Sequence, residues 1–230
     1  MSPSATPLRW GILSTAKIGR KAVIPAIQRS EHGTVVAIAS RHGESAQAVA
    51  DDLGIPQAFS SYEALLADDD IDAVYNPLPN HLHAEWTKKA ADAGKHVLCE
   101  KPLTLDHAEA ATVIAHCEAA GVVLQEAFMY RFHPQWLRTK QLVDEGRIGE
   151  LRAVQSWFSY FNDDAANIRN VAEYGGGALM DIGCYPISVA RWLFGAEPDD
   201  VQAIAHHDPM SGVDILTSAM MRFGTAHATF

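Results

Sequence analysis

The alternation of short apolar runs with helix-like segments is the feature that most constrains the fold of this chain. LRWGILS is followed by a segment with helical spacing and then by a second apolar run, GTVVAIAS. The alternation recurs three more times and ends in DAVYNPLP, HVLCEKP and VVLQEAFM. Parallel strands joined by crossover helices form a doubly wound sheet, which binds ligands beyond the carboxyl ends of its strands. This alternation of strands and helices therefore predicts an N-terminal α/β domain of the Rossmann type.

The alternation of strand-like and helix-like segments ends after about Met129. LRAVQSWFSYF, VQAIAHH and AMMRFGTAHATF have the alternating or aromatic pattern of strands, and one long helical stretch surrounds ALMDIGCYPISVARWLFG. We therefore predict a dinucleotide-binding domain over residues 1–128. Residues 129–230 are predicted to form an α+β domain for substrate binding and oligomerisation, with a mostly antiparallel open sheet.

Composition narrows the class of protein. The 18 basic and 28 acidic residues give a net charge of -10, which disfavours nonspecific binding to nucleic acid or to an anionic membrane. The three cysteines are widely spaced, which indicates neither a disulfide framework nor a metal site. The N-terminus lacks a signal-peptide core, and no apolar run is long enough to cross a bilayer. We expect a soluble cytoplasmic protein without a metal.

The turn after the first predicted strand is a candidate phosphate site. Compared with the motif G-x-G-x-x-G, it has Ser14, Ala16 and Gly19, so two of three glycines are replaced by small residues. Backbone N–H groups at the helix start can still face a phosphate, and the hydroxyl of Ser14 or Thr15 can add a hydrogen bond. An ordinary strand-to-helix turn is the alternative. The predicted cofactor-binding residues here are Ser14, Thr15, Ala16, Lys17, Ile18 and Gly19.

The end of the second strand favours one cofactor. NAD-binding folds place Asp or Glu about 20 residues beyond the loop, whereas this chain has AIASRH there. Ser40 and Arg41 supply donors for a 2'-phosphate, and we add the neighbouring His42 to this predicted site. We therefore predict NADP, with NAD as a possible second cofactor. Arg41 as a solvated surface residue is the alternative.

Four fragments resemble one known family when taken together in this order. VYNPLPNHLH, HVLCEKPLT, EAFMYRFHP and GGGALMDIGCYP follow the nucleotide loop, and the chain resembles the Gfo/Idh/MocA oxidoreductase family from about Leu8 to its last residue. It is most similar to the branch that holds NADP-dependent D-xylose 1-dehydrogenase, dimeric dihydrodiol dehydrogenase and glucose-fructose oxidoreductase. Further cofactor contacts that the resemblance implies are Pro77, Leu78, Asn80, His83, Glu100, Lys101 and Arg131.

The resemblance also implies catalytic residues. Lys101 of CEKP is expected beside the nicotinamide, which should lower its proton affinity. Many family members have an Asp and a His four residues apart, where this chain has Asp181 and Tyr185. A phenol has a pKa near ~10, so Tyr185 serves as a base at neutral pH only if a cation such as Lys101 stabilises the phenolate. Pro186 makes the spacing of Asp181 and Tyr185 on one helix less secure.

Each of these residues also has a structural alternative. Lys101 can be a surface lysine, Tyr185 a buried hydrogen-bonded tyrosine, and Asp181 a residue that orders the triple-glycine turn. We predict that Asp181 binds substrate together with Arg169 and Asn167, although a polar loop also explains the last two. The aromatic residues Trp157, Phe158, Tyr160 and Phe161 can stack on a sugar or simply pack on the sheet.

The resemblance implies an NADP-dependent oxidoreductase that transfers hydride between nicotinamide and a sugar or diol hydroxyl. An aldose 1-dehydrogenase acting on a D-xylose-like sugar fits best. The alternatives are a non-catalytic NAD(P)-binding sensor or regulatory protein, and an NAD-dependent glycosidase. Relatives are longer, so we expect an incomplete second sheet, and we expect a homodimer or larger homo-oligomer through that sheet.

Overall fold

The computed structural model describes residues 6–230. The chain divides between Ala127 and Phe128 into two compact units, and we call the part up to Ala127 unit 1 and Phe128–Phe230 unit 2. None of the helices among the described residues is long and apolar enough to cross a membrane.

Unit 1 is a doubly wound α/β sheet. Its strands are β1 Leu8–Leu13, β2 Gly33–Ala39, β3 Gln57–Phe59, β4 Ala73–Asn76, β5 His96–Cys99 and β6 Leu124–Glu126. Its helices are α1 Ile24–Arg29, α2 Gly43–Leu53, α3 Tyr62–Leu66, α4 Asn80–Asp92 and α5 His107–Ala119, and a π-helical turn, Gly19–Val23, leads into α1. The strands are parallel in the order β3-β2-β1-β4-β5-β6, which confirms the predicted sheet.

The core of unit 1 lies on both faces of this sheet. Ile12 and Leu13 are adjacent in β1 and point to opposite faces, where each joins a separate buried cluster. In β4, Val74 and Tyr75 also point to opposite faces and join these two clusters. Burial on both faces explains why the central strands form continuous apolar runs. The order of the strands reverses between β1 and β4, so the ligand-binding crevice is expected at the carboxyl ends of these strands.

Two short elements of unit 1 were not predicted. Strand β3 has three residues and helix α3 has five, which is too little sequence for a periodic pattern to develop. The start of α3 is fixed by Ser61, whose side chain accepts a hydrogen bond from the backbone N–H of Ala64.

Unit 2 combines a mixed sheet with helices. Its strands are β7 Ala153–Gln155, β8 Asp200–His207, β9 Asp214–Phe223 and β10 Ala226–Thr229, in the order β7-β10-β9-β8. Only the β10–β7 pair is parallel, so the prediction of a mostly antiparallel sheet is confirmed. Its α-helices are α6 Pro134–Asp144 and α7 Cys184–Phe194, and the π-helical turn Leu179–Gly183 leads into α7. Three single 3-10 turns are Met129–Phe132, Ile168–Asn170 and Ala172–Tyr174.

One sequence-based expectation for unit 2 is wrong, and one helix was not predicted. The aromatic segment from Trp157 to Phe161 lies in a loop, because strand β7 ends at Gln155. Trp157 is 89% exposed, so its ring does not pack on the sheet. Helix α6 was missed because none of its residues is buried, so it carries little of the apolar periodicity that predicts a helix.

Candidate active site

The turns after β1, β2, β4 and β5 lie at one edge of the unit 1 sheet. They meet there because the strands are parallel and adjacent, so their carboxyl ends point the same way. This edge, which we call the carboxyl edge, brings together every predicted cofactor-binding residue except Arg131. The residues at the carboxyl edge are 14–19, 40–42, 77, 78, 80, 83, 100 and 101.

In the turn after β1, a serine takes a backbone conformation that is usually found at glycine. Ser14 has a φ of 83°, in the left-handed region that usually costs a non-glycine residue about 1–2 kcal/mol. Its N–H donates to the carbonyl of Ala39 over 2.8 Å, and its Oγ accepts from the N–H of Ala16 over 3.3 Å. Ser14 therefore adopts the conformation that the first glycine of the dinucleotide-binding motif supplies.

Gly19 begins the π-helical turn and is buried against the sheet. A Cβ at this position would lie 3.5 Å from the Tyr75 ring and 4.0 Å from Ile12, which are ordinary contact distances. The structure therefore has room for a methyl group at this position. Of the other loop residues, Thr15 and Ala16 are half-buried, and Lys17 and Ile18 are exposed.

The turn after β2 combines a buried hydroxyl with an exposed guanidinium. Ser40 is buried, and its Oγ accepts a hydrogen bond from the N–H of His42 over 3.2 Å. Arg41 is exposed and interacts with the hydroxyl of Tyr62. Burial raises the pKa of Tyr62 and Arg41 opposes this shift, so the phenol stays protonated at neutral pH and orients the guanidinium. This residue pair was not found from the sequence.

The turn after β5 carries Lys101 and is held through Glu100. The hydroxyl of Tyr75 donates to Oε1 of Glu100 over 2.6 Å, and Oε2 of Glu100 accepts from the N–H of Lys101 over 3.3 Å. Tyr75 is fully buried in β4, so the neighbouring strand fixes the carboxylate that precedes the lysine.

The same turn has two further attachments after Lys101. The carboxylate of Glu126, at the end of β6, accepts from the N–H of Leu103 over 2.8 Å. Nδ1 of His83, in α4, lies 2.7 Å from the carbonyl oxygen of Pro102, which follows Lys101 through a cis peptide bond. Side chains from β4, α4 and β6 therefore fix the backbone on both sides of Lys101.

The turn after β4 is fixed by a buried polar network. Nδ2 of Asn76 donates to the Thr87 hydroxyl and to the His83 carbonyl, and Oδ1 of Asn76 accepts from the N–H of Leu78. Pro77 and Leu78 are buried, and Asn80 begins α4. His83 was predicted to contact the cofactor, but its ring is fully buried and both ring nitrogens face backbone carbonyls.

In unit 2, Asp181 is the centre of a hydrogen-bonded group of three side chains. Its Oδ2 accepts from the Tyr160 hydroxyl over 2.5 Å and pairs with Nε of Arg169 over 2.9 Å. Burial, together with the Asp181 carboxylate, raises the pKa of Tyr160 to about 12, so the phenol remains a donor at neutral pH. Tyr160 was considered only as a sugar-stacking or packing residue, because its hydrogen bond to Asp181 spans 21 positions of sequence.

Tyr185 lies at the start of α7 in an aromatic cluster. Its half-buried ring is 5.4 Å from Phe128, 5.8 Å from Phe158 and 6.2 Å from Tyr130, measured between centroids. The π-helical turn that holds Asp181 runs directly into α7, so Pro186 does not interrupt the helical path between Asp181 and Tyr185. Lys101 belongs to unit 1 and Tyr185 to unit 2, and their pairing stays a prediction.

The triple-glycine turn is shaped by a carboxylate that was not predicted. Gly177 has a φ of 113°, and a Cβ there would collide with the carboxylate of Asp214. A Cβ at Gly176 would lie 2.5 Å from the carbonyl oxygen of Arg169. Asp214 also accepts from the N–H of Leu179 over 2.8 Å. Its side chain therefore orders this turn, and the Asp181 carboxylate contacts Tyr160 and Arg169 instead.

The remaining predicted residues have local roles in unit 2. Oδ1 of Asn167 accepts from the N–H of Arg169 over 3.1 Å and caps the 3-10 turn Ile168–Asn170. The exposed guanidinium of Arg131 lies 5.5 Å from the centroid of the Trp192 ring, a cation–π distance.

An open basin of about 1520 Å³ lies beside the Asp181 group in unit 2. Its lining combines aromatic rings with acidic side chains and includes Trp157, Phe158, Tyr160, Phe161, Asp163, Arg169, Asn170, Asp208 and Asp214. Among residues 6–230 there is no group of three or more His, Cys, Asp or Glu side chains that could hold a metal ion.

Comparison with protein families gives two matches that together span most of the chain. Residues 8–128 match the Gfo/Idh/MocA oxidoreductase family with its NAD-binding Rossmann fold. Residues 136–230 match the C-terminal domain of the same family.

Individual relatives include both dehydrogenases and reductases. The D-xylose 1-dehydrogenase (NADP(+)) 2 of Haloferax volcanii is 53% identical over 217 residues, which cover 94% of this chain and 66% of that enzyme. This chain therefore spans just under two thirds of the length of that relative.

Two solved structures have closely similar folds. One is a 3-ketoreductase from Actinomadura kijaniata in complex with NADP and TDP-benzene, which is 38% identical with a TM-score of 0.89 and covers 97% of this chain and 69% of its own. The other is an aldose-aldose oxidoreductase from Caulobacter crescentus complexed with glycerol, which is 30% identical with a TM-score of 0.91 and covers 97% of this chain and 70% of its own.

Proposed function

This chain belongs to the Gfo/Idh/MocA oxidoreductase family, and we propose that it acts as an NADP-dependent sugar dehydrogenase. The substrate is an aldopyranose of the D-xylose type, oxidised at its anomeric hydroxyl. The observation that supports this best is the assembly of the Ser14–Gly19 loop, Arg41 and Lys101 at the carboxyl edge of one sheet.

The carboxyl edge fits NADP in charge and shape. The loop from Ser14 to Gly19 leads into a helical segment, whose first backbone N–H groups suit a pyrophosphate. Arg41 presents an exposed guanidinium at the neighbouring turn, where a 2'-phosphate needs a cation. The ketoreductase and the D-xylose dehydrogenase that resemble this chain use the same cofactor, which supports the proposal.

Side chains of this protein accept the hydroxyl proton that the substrate loses. NADP bound at the carboxyl edge would supply the acceptor for the hydride that leaves the carbon carrying the hydroxyl group. The proposal gives the phenolic oxygen of Tyr185 the task of taking the hydroxyl proton, and this step requires a cation such as Lys101 to stabilise the phenolate. Asp181, fixed by Tyr160 and Arg169, accepts a hydrogen bond from a neighbouring sugar hydroxyl. Oxidation at an anomeric carbon yields a lactone.

The charge of the basin favours a free sugar over a nucleotide sugar. Its lining includes the carboxylates of Asp163, Asp208 and Asp214, and its guanidinium, Arg169, is already paired with Asp181. A pyrophosphate placed among these carboxylates would be repelled, whereas an uncharged sugar would not. This contrast supports the D-xylose dehydrogenase as the better guide to substrate than the ketoreductase solved with a TDP ligand.

The test is NADPH formation, followed by absorbance, with a panel of aldoses, trans-diols and a TDP-sugar. We expect the highest kcat/KM with a pentopyranose of the D-xylose type. Lys101→Met is expected to abolish turnover and to leave the Kd for NADPH almost unchanged, because the lysine acts on the proton rather than on the phosphates. Lys88→Met, on α4 of the same unit, is the matched control and should keep the wild-type rate.

Three outcomes would contradict the proposal. Wild-type turnover in Lys101→Met would remove the assigned role of the lysine. NADPH binding without turnover of any substrate would favour the non-catalytic sensor. Release of sugar from a glycoside without net NADPH formation would favour the glycosidase.

A further inference from the structure

His83 occupies an unusual position between two turns of the carboxyl edge. It lies in the first turns of α4, and 0% of its surface is exposed. Nδ1 is 2.7 Å from the carbonyl oxygen of Pro102, and Nε2 is 2.7 Å from the carbonyl oxygen of Leu78. One ring therefore joins the turn after β4 to the turn that carries Lys101.

The two partners of the ring are both hydrogen-bond acceptors. A carbonyl oxygen cannot donate, and a neutral imidazole has only one N–H group. The neutral ring can therefore donate to Pro102 or to Leu78 but not to both, and it presents a lone pair to the other oxygen. The imidazolium form has two N–H groups and satisfies both carbonyls.

We propose that His83 is a proton-dependent positioning residue, whose imidazolium form ties the turn after β4 to the turn that carries Lys101. Loss of one proton leaves one of the two turns without its hydrogen bond. The proposal rests on the proposed function in one respect, the role given to Lys101. The link between the two turns is independent of that role.

The surroundings of the ring place the protonation of His83 on the acidic side of neutrality. Burial is the largest influence and lowers the pKa of His83, whereas hydrogen bonds to the carbonyls of Pro102 and Leu78 raise it. Two charged groups of the turn after β5 also act on the ring. Glu100 raises the pKa and Lys101 lowers it. The net lowering puts the transition below the ordinary histidine value of about 6.5.

NADP binding and protonation of His83 should therefore be coupled. The cofactor is expected to contact both turns, so it binds more tightly when the imidazolium holds them together. Linkage then requires that bound NADPH raises the pKa of His83 in return.

The direct test is nitrogen NMR of protein labelled in its 11 histidines, recorded against pH and assigned with His83→Gln. We expect one ring nitrogen of His83 to be unprotonated at neutral pH and both to be protonated on acidification. NADPH should move this transition to higher pH. A ring that keeps one protonation state throughout the pH range of the folded protein would overturn the proposal, as would a transition that NADPH does not move.

A second measurement follows the Kd for NADPH against pH by fluorescence. The wild type should show an inflection at the His83 transition that is absent from His83→Gln, whose amide donates without titrating. The expected fall in kcat in this variant is up to about 100-fold with the KM for sugar unchanged, because small shifts of a catalytic group are costly. His116→Gln, which replaces a half-buried histidine paired with Asp92, is the control and should keep the inflection.

The design separates two kinds of failure. If no sugar is oxidised but His83 titrates and responds to NADPH, the proposed function fails and the link between the turns stands. If a sugar is oxidised but His83 does not titrate, this inference alone is wrong. The NMR measurement uses the wild-type chain, and its His83 signals can also be assigned by correlating the ring with its own backbone, so it remains decisive even if His83→Gln does not fold.

Discussion

Single residues at the carboxyl edge reproduce features that the dinucleotide-binding motif usually obtains from glycine. Ser14 takes a left-handed conformation, and its hydroxyl accepts from the N–H two residues ahead. Ser30 makes the same kind of hydrogen bond, to the N–H of His32, but has an ordinary φ of -80°. The two serines therefore differ mainly in backbone strain, which makes them a matched pair.

Ser14→Gly and Ser30→Gly should have different effects on stability. Each change removes a hydroxyl and adds freedom to the unfolded chain, which costs stability. Only Ser14→Gly also relieves a left-handed conformation, worth about 1–2 kcal/mol. We therefore expect the free energy of unfolding in urea to be higher for Ser14→Gly than for Ser30→Gly by about this amount. Equal values would show that Ser14 is not strained.

Arg41 is expected to decide between the two nicotinamide cofactors. Charge-assisted hydrogen bonds contribute about 1.5–3 kcal/mol, so Arg41→Ala should raise the Kd for NADP by about 10- to 100-fold. The Kd for NAD should change little, because NAD has no 2'-phosphate. Arg29→Ala, at the end of α1 and before the amino end of β2, is the control for loss of one positive charge. Unchanged NADP affinity in Arg41→Ala would remove this residue from the site.

At the scale of elements, two helices begin with a π-helical turn shortly before a proline. Gly19–Val23 precedes Pro25, and Leu179–Gly183 precedes Pro186. Proline has no N–H to give to the carbonyl four residues earlier, and a wider turn accommodates the break without ending the helix. One of these turns follows the predicted phosphate loop, and the other contains Asp181. The prolines are visible in the sequence, but the wider turns are not.

An ion pair connects β1 to the segment before β4 and should make stability depend on pH. Arg9 donates to both carboxylate oxygens of Asp72, and this hydrogen bonding lowers the pKa of Asp72 to about 2 from 3.8. Because the folded-state pKa lies below the unfolded-state value, ionised Asp72 stabilises the fold above about pH 4. This contribution is lost as the pH falls through about 2.

Asp72→Asn should therefore be less stable than the wild type at neutral pH. The difference in urea midpoint should narrow below about pH 4 and vanish only once the pH is below about 2, where the wild-type carboxyl is also largely protonated. Asp70→Asn is the control, since Asp70 also contacts Arg9 but its side chain is 75% exposed. A difference for Asp72→Asn that does not change with pH would contradict this account.

At the scale of the whole molecule, one face of the unit 2 sheet exposes large apolar side chains. The register of β8 and β9 pairs Ile204 with Ser218 and Gln202 with Met220, so Ile204 and Met220 lie on the same face. Ile204 is 80% exposed and Met220 is 45% exposed. Exposed apolar surface of this kind marks an interaction site.

We predict that this face joins two copies of the chain. Ile204→Glu with Met220→Glu should lower the mass measured by light scattering towards that of one chain, because charges at a closed interface are costly. Val201→Glu is the control, since Val201 is an exposed apolar residue of β8 that pairs with the buried Met221 on the opposite face. An unchanged mass in the double variant would place any association elsewhere.

The sequence predicts the order of the main elements better than the contacts of the site. Apolar runs and helical spacing are local signals, so the parallel sheet and the positions of Lys101 and Asp181 in their segments could be predicted. The partners of these residues depend on how distant segments meet. Tyr160 lies 21 positions from Asp181, and Tyr75 lies 25 positions from Glu100. No pattern of spacing marks such pairs, and the tyrosines were missed for that reason.

The attachments of the Lys101 turn have a consequence for how such chains diversify. Tyr75, His83 and Glu126, which hold this turn, all belong to unit 1. The geometry of the lysine backbone is therefore inherited with one segment of the gene, whatever sequence follows it. Lineages can exchange or remodel the second segment to meet new sugars without rebuilding the part that handles the nucleotide.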